Sequence, residues 1–186
     1  MRRTKEEAMQ TRDDVLNAAA TIIANQGVGA FTIDAVAREA GVTKGGVLHH
    51  FPSKEALLDG LITLVLQNFQ ARVLEAMNEE PAETPGRWLR AYLRSVVAIE
   101  YQDKQLIPAL AAVVTADPSK LAPTHASSAH NHDAAMKDGL DPVEATLIRL
   151  AADGIVFSRA LSLDVLDEAT SAQVYERLLE RTNPGS

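Results

Sequence analysis

Apolar side chains recur at helical spacing along almost the whole of this 186-residue chain, and no stretch alternates convincingly as a strand does. Val15, Leu16, Ala19, Ile22 and Ile23 mark one buried stripe on a helix over residues 6–26, closed by Gly27 and Gly29. Thr32 is placed to cap a short helix bearing Ile33, Val36 and Ala37, which stops at Gly41. Thr43 caps another short run, residues 44–50, which ends before Phe51-Pro52. Three helices in about fifty residues, with a tight glycine-containing turn between the last two, is helix-turn-helix organisation. The chain is therefore expected to be all-α.

Beyond the head the helices lengthen. Ser53 opens a run through Leu57, Leu61, Val65, Phe69, Val73 and Met77 that extends to about residue 80. Residues 81–86 break it, and Thr84-Pro85 are read as the cap and first turn of a helix over 85–101. A shorter helix spans about 104–116. Residues 117–133, rich in Ala, Ser, His and Pro, are expected to form a loop leading into a helix that finishes near Gly139. Asp141-Pro142 is a strong start for a helix over 142–161, apolar too far round for a single buried stripe, and a last helix is expected over about 165–181.

Several classes of function are set aside by what the chain lacks. There is no cysteine, which excludes disulfides and thiolate chemistry. No apolar stretch is long enough to span a membrane, and residues 1–7 have no apolar signal region, so a cytoplasmic protein is expected. Ser158, Tyr101, Asp153 and Glu144 fall at no spacing that pairs a nucleophile with a base, and no phosphate loop or cofactor motif occurs, so no enzyme is expected. His125, His130 and His132, with Asp133, have the spacing of neither a zincin helix nor a zinc finger and are read as surface residues rather than a metal site. The net charge of −7 lies wholly in residues 56–186. Residues 1–55 are neutral, with seven basic and seven acidic side chains, so a few placed cations there can still meet phosphate locally.

From Phe31 to Leu58 the sequence FTIDAVAREAGVTKGGVLHHFPSKEALL resembles the DNA-binding signature of the TetR family of bacterial transcriptional repressors. Helix lengths, the turn glycine and the exit His50-Phe51-Pro52-Ser53-Lys54 agree in order. Gly139-Leu140-Asp141-Pro142, followed by an apolar glycine-containing helix and a final helix, is similar to the dimerising half of many members. The resemblance implies a DNA-binding domain over 1–53 and a helical effector-binding and dimerisation domain over 54–186. It also implies a homodimer, paired through the helices about 142–161 and 165–181, that binds a palindromic operator and is released by a small-molecule effector.

The residues support parts of this independently. Thr43, Lys44, Gly45 and Gly46 form the first turn of the short helix that would meet base edges, and the two glycines admit close backbone approach. His49 can donate to a phosphate or a base, while Thr32 and Lys54 stand at helix starts where phosphate finds free N–H groups. Thr32 and Thr43 serve equally as caps, and the lysines equally as solvated charges. Ile33, Val36, Val42, Val47 and Phe51 are the core of the head. Many family members carry Ser or Thr where Gly46 stands and tyrosines where Leu48 and His49 stand. Readout here thus falls on Thr43, Lys44 and His49, helped by Arg2, Arg3 and Lys5. Phe69, Trp88, Tyr92, Tyr101 and Met136 are candidate walls of an effector pocket, or ordinary core. A different class also fits: a helical small-molecule-binding or interaction protein whose head has lost specific DNA binding.

Overall fold

The computed structural model describes residues 5–102, 105–161, 163 and 166–183, with the side chains of 5, 99–102 and 159 set aside. Among the described residues there are nine α-helices and no strand: α1 (Lys5–Gln26), α2 (Ile33–Glu39), α3 (Lys44–His50), α4 (Lys54–Met77), α5 (Arg87–Gln102), α6 (Leu106–Ala116), α7 (Ala122–Met136), α8 (Pro142–Ala160) and α9 (Glu168–Glu180). Helix ends follow the local chemistry. Thr32 accepts from the Ala35 amide at 3.1 Å, Thr43 from Gly46 at 3.0 Å and Ser53 from Ala56 at 3.0 Å. Asp141 caps α8 through Val143 and Glu144, and Asp167 caps α9 through Thr170. α9 thus starts at Glu168 rather than near 165, and Val165 lies outside the described residues.

The chain divides into two compact units. The first comprises residues 1–66 and 103–124, the second 67–102 and 125–186. The division differs from a break after residue 53, because α6 joins the head. α1 explains this. It buries Ala18 and Ala20 as well as Val15, Leu16, Ala19, Ile22 and Ile23, so it is apolar on two sides. One side meets α2 and α3, and the other packs on α6 through a core that includes Leu106, Ala109 and Val113. α4 is a single helix whose residues up to Leu66 belong to the first unit and from Gln67 to the second.

The second unit centres on Val73, Trp88, Leu89, Tyr92, Val96, Ala145, Ile148, Ala152, Tyr175 and Leu178. Its α5 starts at Arg87, two residues later than Thr84-Pro85 suggested, and its cap comes from far away in sequence. The Asp138 carboxylate accepts from the Trp88 and Leu89 amides at 2.7 and 2.8 Å. Burial nevertheless holds the Asp138 carboxyl above its ordinary range. Gly86, at φ +75°, lies so close to Thr182 that a Cβ would stand 2.1 Å from the Thr182 carbonyl oxygen. The buried Arg90 donates to both Glu80 oxygens and to the carbonyls of Thr182 and Pro85.

The expected loop over 117–133 is instead a short 3₁₀ turn, Pro118–Leu121, followed directly by α7. α7 is rich in alanine, the best helix former, but buries only Asn131 and Ala135. A helix that buries so little shows no apolar stripe in its sequence.

Candidate nucleic-acid interface

α2, a turn through Gly41 at φ +66°, and α3 make the helix-turn-helix of the first unit. α3 is held from beneath by Val47, which is fully buried, and by Phe51 just after its end. Lys44, Gly45, Leu48 and His49 face outward. The structure therefore brings Thr43, Lys44, Gly45, Gly46 and His49 together on one short helix, with Thr32 at the start of α2 and Lys54 at the start of α4.

Each position has its own local chemistry. The two threonine hydroxyls accept from amides as caps, which leaves each O–H free to donate elsewhere, so capping and phosphate contact are compatible. Gly45 and Gly46 lie outside the positive-φ glycines of the chain. A Cβ on Gly45 would meet nothing nearer than the Thr43 Oγ1 at 3.9 Å, and on Gly46 the same atom at 3.3 Å. The fold of the subunit does not call for a glycine at 45, and at 46 asks only that the Thr43 hydroxyl give slightly. The His49 and His50 rings meet edge to face at 5.3 Å. The Lys54 ammonium sits 5.2 Å from the centroid of the Phe31 ring.

Three side chains of this surface carry no signal in the sequence pattern. Asp34, in the first turn of α2, pairs with Lys44 at 2.9 Å, both groups being more than half exposed. Nothing in the local pattern joins residues ten apart on different helices. Leu48 stands outward at 38% exposure, next in sequence to the buried Val47. Arg12 lies over the Phe51 ring at 5.3 Å. Arg2 and Arg3 fall outside the described residues, as does the side chain of Lys5.

Of the effector-pocket candidates, Trp88 and Tyr92 are buried and Phe69 and Met136 pack against the same core. Tyr92 stacks on Trp88 at 4.9 Å and meets Phe69 edge to face at 5.1 Å. Tyr92 donates to Asp153, which also accepts from Arg149 at 2.7 Å. Burial, reinforced by the Asp153 charge, pushes the Tyr92 hydroxyl well above the ordinary tyrosine range. Tyr101 lies on α5, but its side chain is outside the described set. An open cavity of about 190 Å³ in this unit is lined by Arg72, Glu75, Ala76, Glu79, Arg94, Ser95 and Ala98, none of them among those five candidates. Among the described residues no group of His, Asp or Glu is arranged to hold a metal ion, and no helix is long and apolar enough to cross a membrane.

A three-helix head whose capped third helix faces outward defines a helix-turn-helix protein of the all-α class. The model of the bacterial regulatory proteins of the tetR family matches residues 15–61, and that of the tetracyclin repressor-like C-terminal domain matches residues 86–183, just over half of the chain. The chain belongs to the TetR family.

Among curated relatives, the HTH-type transcriptional regulator AcrR of Shigella flexneri is 33% identical over 44% of this chain and 38% of its own length. The HTH-type transcriptional repressor KstR2 of Mycolicibacterium smegmatis is 30% identical over 56% of this chain and 50% of its own. The chain thus spans about half or less of these relatives. A transcriptional regulator from Rhodococcus sp. Rha1 shares the fold at a TM-score of 0.71 and 19% identity, over 92% of this chain and 95% of that one. The TetR family regulator PfmR from Thermus thermophilus does so at 0.65 and 18%, over 89% and 97%.

Proposed function

We propose that the protein is a ligand-responsive repressor that binds a palindromic DNA operator as a homodimer, with α3 of each subunit in the major groove. The observation that carries this is the pair of helical glycines Gly45–Gly46, of which Gly45 is exposed and Gly46 half-buried. Two glycines inside a seven-residue helix cost roughly 1 kcal/mol each relative to alanine, and nothing in the subunit fills the space a Cβ at 45 would occupy. A partner surface that must approach the α3 backbone accounts for that cost, and a major groove is such a surface. The acidic balance of residues 56–186 leaves the neutral head as the part of the chain better able to attract phosphate.

The dimer rests on α8. Its inner side buries Ala145, Ile148, Arg149 and Ala152. Its outer side carries Val143, Leu147, Leu150 and Phe157, followed by Leu161 just past its end, all 51–68% exposed. With Gly154 among them, their spacing of four, three, four, three and four residues is the heptad seam along which two helices pack at a shallow angle. The outward face of α9 is polar, with Gln173, Glu176, Arg177 and Glu180 exposed, and suits the rim of such an interface. A palindromic operator would require the recognition helices of the pair to stand about 34 Å apart, one turn of DNA.

Effector control is supported by two buried polar atoms of the second unit, Asn131 Oδ1 and Arg149 Nε, that lack a hydrogen-bond partner among the described residues. A ligand acceptor beside the arginine, or a ligand donor beside the amide oxygen, would give that atom its partner. The structural neighbour EbrR, a multidrug binding protein complexed with imidazole, shares the fold at a TM-score of 0.59 and 22% identity. α4, common to both units, is the element through which a ligand in one can bias the other.

The test is selection of duplexes from a random library, followed by gel shifts across a salt series. Enrichment of an inverted repeat, retained against competitor DNA, is the expected result. Uniform weak binding of every sequence favours a helical binding protein with a non-specific head instead.

A further inference from the structure

The outward face of α3 carries one side chain that neither the fold nor a phosphate contact uses. Leu48 is 38% exposed and belongs neither to the buried core of the first unit nor to the apolar residues packed on that core. It shares its face with Gly45, one turn earlier, and with His49. Gly45 has no side chain, so on that turn only Lys44, four residues before Leu48 and turned toward Asp34, stands near the isobutyl group. Leu48 is therefore the prominent apolar feature of a face otherwise made of backbone, a lysine and an imidazole.

Resting on the reading of α3 as the element that enters the major groove, we propose that Leu48 reads the C5 methyl group of a thymine at one position of each operator half-site. The isobutyl group neither donates nor accepts a hydrogen bond. Guanine and adenine present N7 with O6 or N6 in the major groove, and cytosine presents its N4 amine. Leucine laid over any of these removes water and returns no partner, which penalises those bases. Thymine alone offers a methyl group, so the same contact attracts one base and disfavours the others. The neighbouring Lys44 and His49 carry hydrogen-bond donors that suit the acceptors of several bases, so they do not single out the methyl group.

Duplexes bound by the wild-type protein are selected from a random library, and each thymine of the half-site is replaced in turn by uracil, which deletes only the methyl group. At one position affinity falls about fourfold per half-site, the transfer free energy of one methyl, and about fifteenfold when both half-sites are changed. Leu48→Ala binds the thymine operator more weakly by a similar factor and is indifferent to the same uracil. Its fold is checked by circular dichroism and thermal melting, and Leu48→Gln replaces it should the alanine variant not fold. If no uracil weakens wild-type binding, the proposal is overturned while the regulator reading stands. If the uracil effect survives in Leu48→Ala, another residue holds the methyl and the proposal is again overturned. If selection enriches no sequence, the DNA-binding reading fails and takes this one with it.

Discussion

Replacing Gly45 by alanine separates what the subunit needs from what its partner needs. The added Cβ meets nothing closer than 3.9 Å, and Gly45 is not among the residues at positive φ. The substitution therefore brings no clash and removes the entropy penalty of a helical glycine, about 1 kcal/mol. For a chain of this size that raises the melting temperature by roughly 2–4 °C. On DNA the outcome inverts, because a methyl group on the outward face of α3 holds the backbone away from the groove. Operator affinity should fall by at least about tenfold, worth roughly 1.4 kcal/mol. Thermal melting and fluorescence anisotropy on the selected operator read the two effects in one preparation. Gly60→Ala is the control of opposite kind. Its Cβ would stand 2.6 Å from the Phe51 ring and 3.2 Å from Leu16, so it should lower stability by about 1–3 kcal/mol through overpacking. A Gly45→Ala variant that is more stable and binds the operator as tightly as wild type would refute the inference that α3 is approached at its backbone.

Other expectations rest on separate contacts. Asp34→Asn releases Lys44 from a surface pair worth at most about 1 kcal/mol, so operator affinity should rise up to about fivefold at low salt. The slope of log affinity against log salt should steepen by up to about one, and an unchanged slope would show that Lys44 meets no phosphate. In Leu147→Ala/Leu150→Ala, each half-exposed leucine gives up about 1 kcal/mol of burial. Four such side chains across a two-fold axis weaken association by roughly a thousandfold, visible by sedimentation equilibrium, whereas an unaltered dimer constant removes α8 from the interface. Arg90 holds the Glu80 carboxyl below its ordinary value of 4.5. That interaction stabilises the fold above pH 4.5 and is lost as pH falls through the depressed value. Glu80→Gln should cost about 3 kcal/mol at pH 7 by leaving the buried Arg90 without its carboxylate, and should flatten the acid limb of the stability profile. An acid limb as steep as wild type would assign the pH dependence to other groups.

Where local chemistry decides structure, the sequence is transparent. Thr32, Thr43, Ser53 and Asp141 cap the helices they were expected to cap, because an N-cap needs only a side-chain oxygen and an amide two or three residues on. The all-helical class and the family follow from the same short-range patterns. What escaped was set by tertiary contact. Asp138 caps α5 from some fifty residues away, so Thr84-Pro85 is the only local signal and points two residues early. α6 joins the head because α1 is apolar on two sides, yet only one of its stripes stands out in the sequence. α7 is hidden because its composition lacks the large apolar residues by which helices are found. On the proposed DNA-binding surface Thr43, Gly45, Gly46 and His49 are legible as a motif. Asp34 and Leu48 matter through where they point, which a motif does not record.

The architecture of α3 shows how a short helix can be poor in intrinsic stability and still present a fixed surface. Seven residues are too few to be helical alone, and two glycines lower the propensity further. Its order is imposed from beneath by Val47 within the helix and Phe51 at its end, both in the core shared with α1. Thr43 closes the first turn from above. The outward residues add only the weak pairing of Lys44 with Asp34 and the edge-to-face contact of His49 with His50. Substitutions at 48 and 49 therefore act mainly on what the helix contacts, whereas Gly45→Ala also raises the helix's own stability. The side chains that hold α3 and those that face outward from it are separate sets, which lets a fixed scaffold carry different sequence preferences.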